Sequence, residues 1–152
     1  MTLAHGGVSE DVVVLAVLSK QDAPYDLRTP DRLVLLNISD GTTEIPREAF
    51  TFCQSVAGVT IPKSVTKTGG EAFARCCSLI SLTILDTMNQ IGHAAFRGCS
   101  SLTMLTIPDS VDVIGEHAFY GCSSLTRLTI PEPLKRIGHG AFGGCRAVLE
   151  QQ

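Results

Sequence analysis

Apolar and polar positions alternate in short bursts that recur along most of the chain. In Leu125-Thr126-Arg127-Leu128-Thr129-Ile130, the apolar Leu128 and Ile130 flank Thr129, the period of two expected of a half-buried strand. Pro131 follows, and Pro62 and Pro108 stand at the same place in other units. Proline cannot donate to a strand ladder, so each predicted strand is short and gives way to a turn. Leu134 and Ile137 are expected to point inward on the return path, and Gly138 to permit a sharp backbone bend that a side chain would hinder. His139-Gly140-Ala141-Phe142 is then predicted to bring Ala and Phe back beneath the next unit as a helical or 3-10 turn.

The burst is one unit of a repeat, and repeats decide the fold before local structure does. Ala-Phe occurs at Ala49-Phe50, Ala72-Phe73, Ala95-Phe96, Ala118-Phe119 and Ala141-Phe142, each 23 residues after the last, with Cys53, Cys76, Cys99, Cys122 and Cys145 three residues behind each Phe. Further columns keep the register: Ile38, Ile61, Ile84, Ile107 and Ile130; Leu36, Val59, Leu82, Leu105 and Leu128; Leu33, Val56, Leu79, Leu102, Leu125 and Val148. Another reads Ile45, Thr68, Ile91, Ile114 and Ile137, followed by Gly69, Gly92, Gly115 and Gly138, with Pro46 in the first unit. One unit cannot fold alone: six or seven side chains burying ~1.5–3 kcal/mol each do not exceed the backbone entropy of ordering its residues at ~1–2 kcal/mol apiece. Stacked units bury one another, which predicts a solenoid over residues 33–152 of about five 23-residue coils with parallel strands.

The string Cys-Ser-Ser-Leu-Thr-Met-Leu-Thr-Ile-Pro-Asp-Ser-Val-Asp-Val-Ile-Gly-Glu-His-Ala-Phe-Tyr-Gly-Cys, from Cys99 to Cys122, resembles the repeat of the BspA-like leucine-rich repeat family, and the likeness runs from about Leu33 to Leu149. The resemblance implies a right-handed leucine-rich repeat solenoid, with short parallel strands on the concave face and turns and short helical or 3-10 segments on the outer face. It also implies a second function class, because some members are cell-surface proteins that bind host or matrix proteins.

Composition narrows the choice. Twelve Lys plus Arg against 15 Asp plus Glu give a net charge of -3, which leaves no electrostatic footprint for nucleic acid. The longest apolar run, Val12 to Leu18, is seven residues, too short for a membrane span of ~20. Glu10 and Asp11 precede it in place of Lys or Arg, and Ser19-Lys20-Gln21-Asp22 offers no small-x-small cleavage site, so the expected location is cytoplasmic, with the cell surface as the alternative if a leader is encoded upstream. Residues 1–32 leave the register and are expected to form an N-terminal cap or degenerate first repeat, with Pro24 and Pro30 in a connecting loop; a separate docking element is the other reading. Val13 and Leu15 fall 23 residues before Leu36 and Ile38, so Val12–Leu18 is expected as a strand stacked on the first coil. Val148-Leu149 begins a sixth strand with no polar cap after it, which suits a fragment of a longer array, an incomplete gene product, or a protomer that self-associates through its C-terminal coil.

Candidate chemistry is sparse. Stacking brings successive column cysteines about 5 Å apart, but equivalent residues project side by side, so buried free thiols acting as small hydrophobes are expected rather than disulfides. Cys77 lies outside the column and is the candidate reactive thiol. His93, Glu116 and His139 share one column beside His117, yet the same column carries Arg47 and Gly70, the pattern of a solvated outer turn, so no metal or cofactor is expected and no catalytic residue is assigned. The concave sheet is the candidate protein-binding face. Its outward columns are Asn37, Thr60, Thr83, Thr106 and Thr129, and Leu35, Gly58, Ser81, Met104 and Arg127; of these small, mostly uncharged residues only Met104 and Arg127 resemble interface anchors, so no high-affinity site is evident there. Tyr120 with Arg97 and Arg75 is expected as ordinary surface. The reading is a non-enzymatic repeat scaffold that presents a curved surface to an unknown protein partner; cell-surface adhesion or matrix binding is the alternative.

Overall fold

A computed structural model describes residues 2–4, 12–17, 23, 26–30, 33–132, 134–146 and 148–151. In chain order the strands are β1 (Thr2–Ala4), β2 (Val12–Val17), β3 (Leu33–Ile38), β4 (Glu44–Ile45), β5 (Val56–Thr60) and β6 (Lys67–Thr68). They continue as β7 (Ser81–Thr83), β8 (Gln90–Ile91), β9 (Met104–Thr106), β10 (Val113–Ile114), β11 (Arg127–Ile130), β12 (Arg136–Ile137) and β13 (Val148–Gln151). Longer strands alternate with two-residue strands because each coil has two ladder-forming sides. The longer set makes the main face as two sheets, β1-β2-β3-β5-β7 and β9-β11-β13, while the short strands stack as β12-β10-β8-β6-β4. All pairings are parallel except β1 with β2.

The columns hold their register along the main face. Opposite one another stand Leu35, Gly58 and Ser81, then Leu36, Val59 and Leu82, then Asn37, Thr60 and Thr83. Three expectations of register are corrected. Leu33 does not share the buried column of Val56: β3 alternates strictly, so Val34 is buried and pairs with Val56 while Leu33 faces out, and a bulge between Val34 and Leu35 restores the register. At the N-terminus β2 stacks on β3 as expected of a strand there, but Leu15 lies opposite Leu36 and Val17 opposite Ile38. That offset of 21 pairs all six residues of β2 with all six of β3, Val12↔Leu33 through Val17↔Ile38; an offset of 23 would leave two of them without a partner. At the other end β13 makes the same shift, pairing Val148 with Arg127 rather than with the Leu125 column. Both shifts are even, so the strand alternation stays in phase. Leu18 and Pro24 lie outside the described residues.

The third side of each coil is not helical. Among the described residues it is a run of turns with two left-handed residues four apart: Glu48 and Phe52, Glu71 and Arg75, Ala94 and Gly98, His117 and Gly121, Gly140 and Gly144, with φ between 50° and 77°. A left-handed residue every fourth position forbids a helix. Successive N–H groups alternate instead between the coil's own turns and the neighbour: Phe73 N–H donates to the Ala95 carbonyl at 2.7 Å, and Ala74 N–H to the Glu71 carbonyl at 3.2 Å. Beneath these turns the phenylalanines stack from Phe50 through Phe142, with centroids 5.1–5.4 Å apart and planes within 10°. The two ladders and this stack share one rise, which fixes the coils face to face.

The glycines after the short strands are required for a different reason from the expected bend. A Cβ on Gly92 would lie 2.5 Å from the Thr68 carbonyl oxygen, and one on Gly138 2.4 Å from the Glu116 nitrogen. Neighbouring coils touch there backbone to backbone. Thr68, the polar member of the Ile45 column, is buried and accepts the Gly92 N–H on Oγ1 at 3.0 Å. Ile137 does not point inward as expected: it is half exposed, because among the described residues no strand covers β12.

Candidate functional site

The main face carries the sequence-predicted positions where the strand alternation puts them. Met104 lies opposite Arg127 and Thr106 opposite Thr129, around a shallow depression of about 120 Å³. Thr60 and Thr83 are paired in the other sheet. Thr60, Thr83, Thr106, Met104 and Arg127 are exposed, and Thr129 is half-buried. The two groups do not form one ladder, since β7 and β9 belong to different sheets. The structure adds Leu33, 47% exposed, to Leu35 at 41% and Met104 at 53%, both of the expected outward column. Leu35 overhangs a depression of about 260 Å³ lined also by Asn37, Gly58, Thr60 and Ser81. Gly58 makes that space, because a Cβ there would sit 3.0 Å from Leu35 Cδ2. The signal for Leu33 was present in the sequence: the phase Val34, Leu36, Ile38 sends it outward with Leu35.

On the outer ridge two arginines lie against aromatic rings. The Arg75 guanidinium lies 5.9 Å from the Phe52 ring centroid, and that of Arg97 5.3 Å from Tyr120. Cys77, half-buried, opens onto a depression of about 340 Å³ with Arg75, Arg97, Ser100 and Tyr120. Its Sγ lies 3.5 Å from the Arg75 carbonyl oxygen and 3.7 Å from that of Gly98. Beside this row the histidines converge. His117 is flanked edge-on by His93 and His139, with centroids 6.1 and 5.8 Å away, and packs on Tyr120 at 5.4 Å.

All six cysteines are free thiols. From the second coil on, the column members donate to the carbonyl of the Phe in the preceding coil: Cys76 to Phe50 at 3.0 Å, Cys99 to Phe73 at 3.3 Å, Cys122 to Phe96 at 3.3 Å and Cys145 to Phe119 at 3.2 Å, while Cys53 lies 3.7 Å from the Thr51 carbonyl of its own coil. Burial pushes the Cys99 thiol up to about 12 and the Cys76 thiol well above its ordinary range. Cys76 and Cys99 are thus held as neutral donors inside the core, which suits packing and not nucleophilic chemistry, whereas Cys145, half-buried at the end of the column, is held below its ordinary range by the Cys122 thiol.

The BspA type leucine rich repeat region matches residues 30–148 in six copies. The chain belongs to this family. Among solved structures it is similar to a leucine rich cell surface protein from Faecalibacterium prausnitzii, at 32% identity and a TM-score of 0.74, over 78% of this chain and 32% of that one. It is similar also to the leucine rich repeat protein of T. pallidum, at 29% identity and a TM-score of 0.68, over 94% of this chain and 63% of that one. A leucine-rich repeat protein from Bacteroides ovatus, at 23% identity and a TM-score of 0.74 over 96% of this chain and 43% of that one, bears on the fold alone. The chain thus spans about a third of the length of the Faecalibacterium protein and less than two thirds of the T. pallidum one. No curated protein matches it. BspA-type repeats are scaffold units of the kind used to bind proteins, and among the described residues no helix is long and apolar enough to cross a membrane.

Proposed function

We propose that this protein is a non-enzymatic scaffold whose main sheet face docks another protein. The observation that carries the reading is the exposure of Leu33, Leu35 and Met104 on a surface whose backbone is held by parallel ladders. A rigid surface loses little freedom on binding, and large apolar side chains beside an unfilled depression supply the contact area a partner needs. Thr60, Thr83, Thr106 and Thr129 then act as a small, flat surround, with Arg127 as the polar anchor. Partners captured by crosslinking to the wild-type chain should be lost from Leu35→Asp and Met104→Asp and retained by Tyr120→Ala on the outer ridge. A partner insensitive to both main-face changes and lost with Tyr120→Ala would overturn the assignment of the face.

A second reading, adhesion at the cell surface, is favoured by the 32% identity to a protein described as a leucine rich cell surface protein. Protease treatment of intact source cells separates the two locations: cleavage of the chain supports the surface, and protection until lysis supports the cytoplasm.

A further inference from the structure

We propose that the outer ridge binds a first-row divalent cation of the zinc class between His93, Glu116 and His117. The column of His93 and Glu116 reads as solvated turn because Arg47 and Gly70 share it, but the structure places it beside the next column, where His117 stands. One donor atom from each of the three side chains falls within 4.8 Å of the others. Tetrahedral zinc with bonds of ~2.0–2.1 Å needs donors about 3.3 Å apart. His93 and Glu116 are exposed, so rotation of their side chains closes the difference.

The backbone beneath is fixed, which gives the trio a preset spacing. Glu71 N–H donates to the His93 carbonyl at 2.8 Å, Ala94 N–H to the Glu116 carbonyl at 2.8 Å and His117 N–H to the His139 carbonyl at 3.0 Å. His117 is left-handed, with φ of 54°, and its ring lies across Gly140, where a Cβ would come within 2.8 Å of Cδ2 and 2.9 Å of Nε2. The missing side chain at Gly140 is therefore what lets this imidazole lie along the ridge. Among the described residues the Glu116 carboxylate has no hydrogen bond or ion pair. Two imidazoles and one carboxylate select zinc-class ions over calcium and magnesium, which prefer oxygen alone, and three protein ligands leave the fourth position to water or to a partner's side chain.

Calorimetric titration of the full, reduced chain with zinc chloride is the test, with magnesium chloride as the comparison. One zinc per chain is expected. His93→Ala, Glu116→Gln and His117→Asn should each weaken it about tenfold or more; Asn is chosen because it tolerates the left-handed backbone at His117. His139→Ala and Cys77→Ser should stay within about twofold of wild type. Cobalt loaded in place of zinc should show no thiolate charge-transfer band. Melting of each variant in EDTA at the wild-type temperature separates lost ligands from lost fold. Absence of zinc binding, binding unchanged by His93→Ala and His117→Asn, a thiolate band, or an equal loss in His139→Ala would overturn the assignment.

Discussion

The Phe73 carbonyl accepts twice: from the Cys76 N–H of its own coil at 3.3 Å and from the Cys99 thiol of the next coil at 3.3 Å. Phe96 and Phe119 repeat the arrangement with Cys99 and Cys122, and with Cys122 and Cys145. A buried carbonyl is thereby satisfied by a small donor that also packs as a hydrophobe, which serine or alanine would do less well. The thiol must keep its proton, and this makes stability depend on pH. Cysteine has an ordinary value of 9.0, and burial pushes Cys99 up to about 12. Below the unfolded value both states hold the proton and the contribution is complete; as pH rises toward the folded value only the unfolded chain releases it, so stability falls. The expected loss is about 1.4 kcal/mol per pH unit for each such thiol across that window. Urea midpoints at about pH 8 and about pH 10 should show it, with a shallower drop in Cys99→Ala; equal drops would remove the thiol from the explanation. That the column packs in the core was legible from its period. The donation was not, because donor and acceptor lie 26 residues apart and meet only once the coil path is known.

Turns carry the larger difference between expectation and structure. The Ala-Phe segment looks helical by composition, since Glu48, Phe52, Glu71, Arg75, Ala94 and His117 give no hint of a left-handed backbone. Only Gly98, Gly121, Gly140 and Gly144, at the same positions in other coils, mark it. The coil ladder imposes the conformation by drawing every second N–H to the neighbour, so tertiary pairing overrides local preference. Glu48→Gly should therefore raise stability by about 1 kcal/mol, because an L-residue in this region costs ~1–2 kcal/mol and the exposed pair of Glu48 with Arg47 contributes little. Gly115→Ala should act the other way. Its Cβ would lie 2.7 Å from backbone atoms of Gly92 and His93, which cannot rotate aside, so the coils must part at a cost of about 2–3 kcal/mol. Thermal melts of the two variants check both signs. The glycine column was visible as a period; its cause is the close approach of coils, which no single unit contains.

A stack of coils joined through neighbours should respond to paired changes according to their separation. The period of 23 residues made the stack, its parallel strands and its stacked phenylalanines readable in advance, since each follows from superposing equal units. Departures fall where units are unequal: the shifted register of β2 and β13, the bulge in β3, and the main face divided between β7 and β9. Across that division the Phe stack stays continuous, with Phe73 and Phe96 centred 5.3 Å apart and 3° from parallel. The core and the short-strand sheet, unbroken from β8 to β10, therefore couple the two halves where the main sheet does not. Phe73→Leu and Phe96→Leu alter one ring contact in common, so their double-mutant cycle in urea should show a coupling of about 0.5–1.5 kcal/mol. Phe50→Leu and Phe119→Leu share no neighbouring ring, because Phe73 and Phe96 both stand between them. Their effects should add within about 0.5 kcal/mol. If instead the Phe73 and Phe96 cycle closed to zero, the ring stack would carry no coupling between the halves, leaving it to the ladder of β8 with β10 and to the turn hydrogen bonds such as Phe96 N–H to the Ala118 carbonyl.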